Sequence, residues 1–143
     1  DMASSVNLDT AEELNITCRR GDTFSLSLLL KSSSGTALTL ATSGHEFFMQ
    51  VRSSSRSRGD ERNRELIIGS ATRGKKDPKG KNFSFTTDDS GNLTITASSD
   101  VMKDVLPRTY VYDLQQILDG VSTTIRFGSF IVNDDISKID ITT

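Results

Sequence analysis

Few side chains in this sequence can do chemistry, and their spacing argues against a catalytic arrangement. The one imidazole is His45, in Thr-Ser-Gly-His-Glu. No serine elbow or cysteine is placed as its nucleophilic partner, so it reads as a histidine of a surface loop. The lone thiol, Cys18, can form neither an internal disulfide nor a metal site by itself, and reads as a small buried hydrophobe. Asp88-Asp89 and Asp134-Asp135 are carboxylate pairs. An acid/base mechanism would need such groups to converge with separated pKa values, but both pairs stand where turns favour Asp. Walker loop, dinucleotide fingerprint, zinc spacing and calcium loop are all missing. The expectation is a protein that is not an enzyme, with no cofactor and no metal.

Positive charge is the other chemistry on offer. The formal net charge is -2, yet residues 52–81 hold ten of the 17 basic residues and four of the 19 acidic ones. Arg52, Arg56, Arg58, Arg62, Arg64, Lys75 and Lys76 make this stretch a candidate partner-binding segment. Clustered cations release counterions on nucleic acid, but the Arg-rich run has no interleaved aromatics for base stacking. A solvated loop, or one docking on an acidic neighbouring subunit, fits better, and nucleic acid is disfavoured as a partner. Arg-Gly-Asp occurs twice, starting at Arg20 and Arg58, once at a turn and once in the basic run. No secretion signal supports an adhesive reading. The sequons at Asn15, Asn82 and Asn92 carry no weight without a secretory context.

The elements that would position these residues are mostly strands. At 143 residues and 15.6 kDa the chain suits one domain able to bury its own core. Its low hydrophobic content of 34% suits strands that show one face to water. Residues 1–13 lack an apolar period and read as a loose N-terminal arm, ahead of a single domain over 14–143. Residues 15–20 and 23–31 read as strands joined by a tight turn or bend at Gly21-Asp22. Phe24, Leu26, Leu28 and Leu30 alternate with mostly polar neighbours. Leu38 and Leu40 stand one strand period apart. Over 46–52, Phe47, Met49 and Val51 face opposite Phe48 and Gln50. Residues 53–82 read as a long basic excursion, interrupted by Leu66-Ile-Ile68. Residues 83–85 and 93–96 form a hairpin across 89–92, and residues 100–106 form the one helix, with Asp100 as its cap and Pro107 ending it. Then Tyr110, Tyr112 and Leu114 alternate toward Asp119-Gly120, and Val121, Thr123, Ile125 and Phe127 alternate on the way back, a strong hairpin signal. Gly128 marks a bulge or a close backbone approach. In the tail, Ile136, Ile139 and Ile141 are candidates for adding a strand to a partner. About eight strands, one short helix and no βαβ rhythm predict an all-β, immunoglobulin-like β-sandwich. No apolar run is long enough to span a bilayer, and no membrane partner is expected.

Several segments in order resemble a family of phage tail proteins whose small N-terminal β-sandwich attaches a baseplate or fibre protein to the tail, as in the upper baseplate proteins of Gram-positive phages. Arg20-Gly-Asp-Thr-Phe24 is similar to the family's Gly-Asp-Thr followed by an aromatic. Ser34-Gly-Thr-Ala-Leu-Thr-Leu40 is similar to its Asp-Gly-x-Pro-Leu-Asp-Leu. Phe48-Met-Gln-Val-Arg52, Leu93-Thr-Ile-Thr-Ala97, Leu106-Pro-Arg-Thr-Tyr-Val-Tyr-Asp-Leu114, Gly120 and Gly128-Ser-Phe-Ile-Val132 follow in the same order, covering about residues 15 to 136. The basic excursion is longer and more basic than the family pattern, and no stalk, coiled coil or receptor-binding head follows the sandwich. The resemblance implies a non-enzymatic structural virion protein, an adaptor or connector present in several copies in the tail, baseplate or fibre region and made in the host cytoplasm. Its partners would be other tail, baseplate or fibre proteins. The alternative is a carbohydrate- or host-surface-binding module of a phage tail. That reading is weakened by the lack of Trp and by Phe residues at mostly inward positions.

Overall fold

Asp119 and Gly120 both take positive φ, 53° and 79°, as a two-residue turn with the twist of its flanking strands requires. They join the two longest strands, β8 (Arg108–Leu118) and β9 (Val121–Asn133), the hub of the larger sheet. The computed structural model describes residues 11–54, 66–71 and 83–134. On one side of the hairpin β8 pairs with β4 (Glu46–Ser53), which pairs with β5 (Leu66–Ala71). On the other side β9 takes two short parallel partners, β1 (Glu12–Glu13) and β2 (Ile16–Arg19). The second sheet has the order β3-β7-β6, from β3 (Phe24–Leu29), β7 (Asn92–Ala97) and β6 (Ser84–Thr87). A split first strand parallel to the last, a five-strand path ending in β4 and β5, and an opposing three-stranded sheet give an immunoglobulin-like connectivity. The fold is an immunoglobulin-like β-sandwich.

The two sheets meet through aromatic rings. Phe24 of β3 lies 5.3 Å from Phe130 of β9 and 5.7 Å from Phe83, and Tyr112 of β8 lies 6.4 Å from Phe130, between ring centroids. Such edge-on and tilted arrangements add to the gain from burial itself. Phe47, Met49, Val51, Leu93, Ile95 and Leu114 complete a fully enclosed centre. Leu40 is also fully buried, but in a turn rather than in a strand. Tyr110 donates its hydroxyl hydrogen to the Leu106 carbonyl at 2.6 Å, the tyrosine corner of immunoglobulin-like sandwiches.

The Gly21-Asp22 bend joins β2 to β3 and carries the chain from one sheet to the other, since β2 pairs with β9 and β3 with β7. Three local details differ from the pattern of the sequence. Glu12 and Glu13, at the end of the expected loose arm, are paired with Arg126 and Phe127 of β9, whereas residues 1–10 lie outside the described residues. The helix is one turn, α1 (Ser99–Met102), and its N-cap is Ser98, which accepts from the Val101 N–H. Asp100 is a first-turn residue instead of the cap. Finally, the bulge of β9 sits at Ile125, because Leu114 opposes Arg126 while Gln115 opposes Thr124. That extra residue reverses the alternation, so Phe127 is 41% exposed and not part of the core.

Gly128 is the close approach. Its φ is 153°, and a Cβ there would lie 2.7 Å from both the Leu14 carbonyl oxygen and Asn15 Oδ1. The chain between β1 and β2 crosses at this point, with Leu14 N–H donating to Phe127 O and Ser129 N–H to Asn15 Oδ1. Gly128→Ala is expected to cost about 2 kcal/mol or more, from backbone strain and displacement of the crossing segment. Urea unfolding checks this, and an unchanged midpoint would refute it.

Candidate functional site

In β4 the inward side chains are Phe47, Met49 and Val51, so Phe48, Gln50 and Arg52 stand on the outer face of the larger sheet. By the same alternation β8 presents Val111, Asp113 and Gln115, and β9 presents Phe127, Ser129 and Ile131. Register aligns Gly69, Gln50, Asp113 and Phe127 in one row across four strands. Arg52 and Val111 form the next row. Arg52 donates from Nε and Nη2 to Gln50 Oε1, at 3.2 and 2.9 Å. Burial pushes the Asp113 carboxyl above the usual carboxylate range, and the positive charge of Arg52 partly offsets this. A half-buried polar row bordered by Phe48, Val111, Ile131 and Phe127 is a surface suited to protein contact.

A second feature is the side of the sandwich where β2 and β3, the margins of the two sheets, run past one another. A groove of about 360 Å³ lies there, lined by residues including Ile16, Cys18, Arg19, Phe24 and Leu26. Cys18 is half-buried, and burial followed by the charge of Asp22 pushes its thiol up to about 11, leaving it a poor nucleophile at neutral pH. At the far end, a wider depression of about 550 Å³ is lined by Glu12, Leu29, Lys31 and Arg126 among others. Arg126 pairs there with Glu12 at 3.7 Å.

Of the sequence-predicted binding residues, only Arg52 is described, and it is held on the sheet by Gln50. Arg56, Arg58, Arg62, Arg64, Lys75, Lys76, Ile136, Ile139 and Ile141 lie outside the described residues. Gln50 and Asp113 were not singled out by the sequence, although strand alternation on both sides of the pair was its available signal. His45 stands between the turn ending at Gly44 and β4, its N–H donating to Leu40 O, and its Nδ1 is buried with no partner among the described residues. Among the described residues no group of three or more potential ligands could hold a metal, and no helix is long and apolar enough to cross a membrane.

The carboxylates at the β6–β7 turn serve its geometry. Asp88 accepts from the N–H groups of Ser90 and Asn92 and from Asn92 Nδ2. Asp89 accepts from the Thr42 N–H at 2.7 Å and from the Thr42 hydroxyl, tying the 40–45 loop to this turn.

No family model and no curated protein match the sequence. Among solved structures, an uncharacterized protein from Bacillus anthracis is 17% identical with a TM-score of 0.45, covering 88% of this chain and 86% of that one. The NK cell receptor NKp44, described as a triggering partner in natural cytotoxicity, is 12% identical with a TM-score of 0.43, covering 87% of this chain and 98% of that one. Likeness of this degree bears on neither partner nor function.

Two titrations check the electrostatics. Hydrogen bonds from Asn92 and Ser90 lower the pKa of Asp88, and those from Thr42 lower that of Asp89. Their contribution to stability is therefore complete above the unfolded carboxylate value of about 3.9 and fades as pH falls through the lower folded values. Asp88→Asn with Asp89→Asn should flatten the fall in stability on acidification below about pH 4, seen by urea unfolding against pH; an unaltered slope would count against it. Arg52→Gln should move the Asp113 carboxyl titration further up, as read by NMR, and no movement would show that Arg52 does not act on it.

Proposed function

We propose that this chain is a non-enzymatic structural protein of a phage tail, an adaptor or connector at a baseplate or fibre attachment site that works by protein–protein contacts. The observation that carries this reading is the ordered resemblance over about residues 15 to 136, whose pieces fall on the frame of the sandwich. Gly21-Asp22-Thr23-Phe24 is the crossing between sheets, Leu93 to Ala97 lie in β7, and Arg108 to Leu114 lie in β8. Gly128 is the point of close approach. These are positions that hold a scaffold together, as an attachment module requires.

The contact surface has two parts in this reading. The half-buried outer face around Gln50, Arg52 and Asp113 docks a neighbouring tail subunit, and the basic segment that continues from Arg52 meets an acidic patch on it. Several copies would surround the tail axis in the virion.

The test uses the full chain and purified tail-tip proteins of the phage that encodes it. Size-exclusion chromatography should give a discrete complex that weakens as salt rises. Replacing Arg56, Arg58, Arg62 and Arg64 by Gln should weaken it further and reduce that salt dependence. Absence of any complex, together with binding on a glycan array, would favour the carbohydrate-binding module instead. A complex whose salt dependence the four substitutions leave unchanged would remove the basic segment from the interface.

A further inference from the structure

β3 is a marginal strand of its sheet. Its ladder to β7 runs in unbroken register from Phe24 opposite Ala97 to Leu29 opposite Asn92, and the next residue, Leu30, donates its N–H to Gly91 O at 2.7 Å. In an antiparallel ladder the backbone groups of alternate residues face the partner strand. Those of Phe24, Leu26 and Leu28 therefore face β7, and those of Ser25, Ser27 and Leu29 face away. Among the described residues nothing pairs with that outward side. Sheets commonly guard such a margin with charge, proline, a bulge or a very short strand. β3 has six uncharged residues and neither proline nor bulge. Its core side is also open at the middle: Phe24 and Leu30 are buried, but Leu26 and Leu28 remain half-buried, and Leu29 is 52% exposed. Opposite charges stand at its two ends, Asp22 before it and Lys31 after it, both exposed.

We infer that this margin is closed by a second copy of the chain, with β3 pairing antiparallel to β3 about a two-fold axis at Ser27. In that register Ser27 opposes Ser27, Ser25 opposes Leu29, and Leu26 opposes Leu28. About six backbone hydrogen bonds form, and the two half-buried leucines of each copy meet those of the other on the core side. Lys31 opposes Thr23, one residue from Asp22 of the second copy, so each charged end lies beside its opposite. A parallel copy would bring like-charged ends together. The contact is isologous and closes after two copies. It rests on the fold alone, so a tail protein and a protein of another kind would both form it.

Sedimentation velocity on the full chain over a concentration series tests the pairing. The wild type should move from monomer to dimer. Ser27→Lys, which sets like charges face to face on the axis, should weaken dimerisation at least about tenfold, with far-UV circular dichroism unchanged. Asp22→Lys should weaken it too, and adding Lys31→Asp should restore it, a rescue that loss of folding would not give. The inference is overturned by a wild type that stays monomeric at about 1 mM. It is equally overturned by a dimer that Ser27→Lys leaves intact, or by uptake of a different tail protein's strand at this margin without self-association.

Discussion

One crowded crossing holds the larger sheet together. The Leu14 carbonyl rests where any side chain at position 128 would be, and it accepts the Tyr112 hydroxyl hydrogen at 2.6 Å, across 98 residues of sequence. Leu14 N–H, Asn15 Oδ1 and the backbone of Phe127 and Ser129 complete the knot. It interrupts the first strand between β1 and β2, which keep one parallel register along β9. Burial, set against the nearby Arg126 charge, pushes the Tyr112 hydroxyl up to about 12, so it remains a donor throughout the physiological range. From this crossing the sheet extends outward through β8 to β4 and β5.

Much of the frame is legible in the sequence because it is encoded locally. Asp119-Gly120 between two period-two runs specifies its turn through φ alone, and the inward Phe47, Met49 and Val51 declare themselves by alternation. What could not be read depends on partners distant in the chain. The parallel register of Ile16 with Phe130 joins residues more than a hundred positions apart. The bulge at Ile125 leaves composition untouched, so alternation alone puts Phe127 on the wrong face. Ser98 and Asp100 are both good caps, and only the path of the backbone chooses between them. For the site, Arg52 could be placed on an outer face by parity, whereas the desolvation of Asp113 depends on neighbours from other strands.

The outer face of the larger sheet and the open side of the sandwich differ in kind. The first is a row of side chains in which Arg52 is already engaged by Gln50, so its charge is directed and partly spent within the sheet. The second offers backbone groups and half-buried leucines, which recognise an extended strand with little regard to its sequence. The first is specific in its side chains, the second in its backbone.

The tyrosine corner carries a further consequence. In antibody domains the residue two positions after that tyrosine is a cysteine bridged to the opposite sheet, and here that position is Tyr112. Its ring packs against Phe130 and its hydroxyl reaches Leu14 within the same sheet, while the span between the sheets is filled by the rings of Phe24 and Phe130. With one cysteine in these 143 residues, no disulfide within this sequence can link the two sheets, and packed rings carry that contact instead.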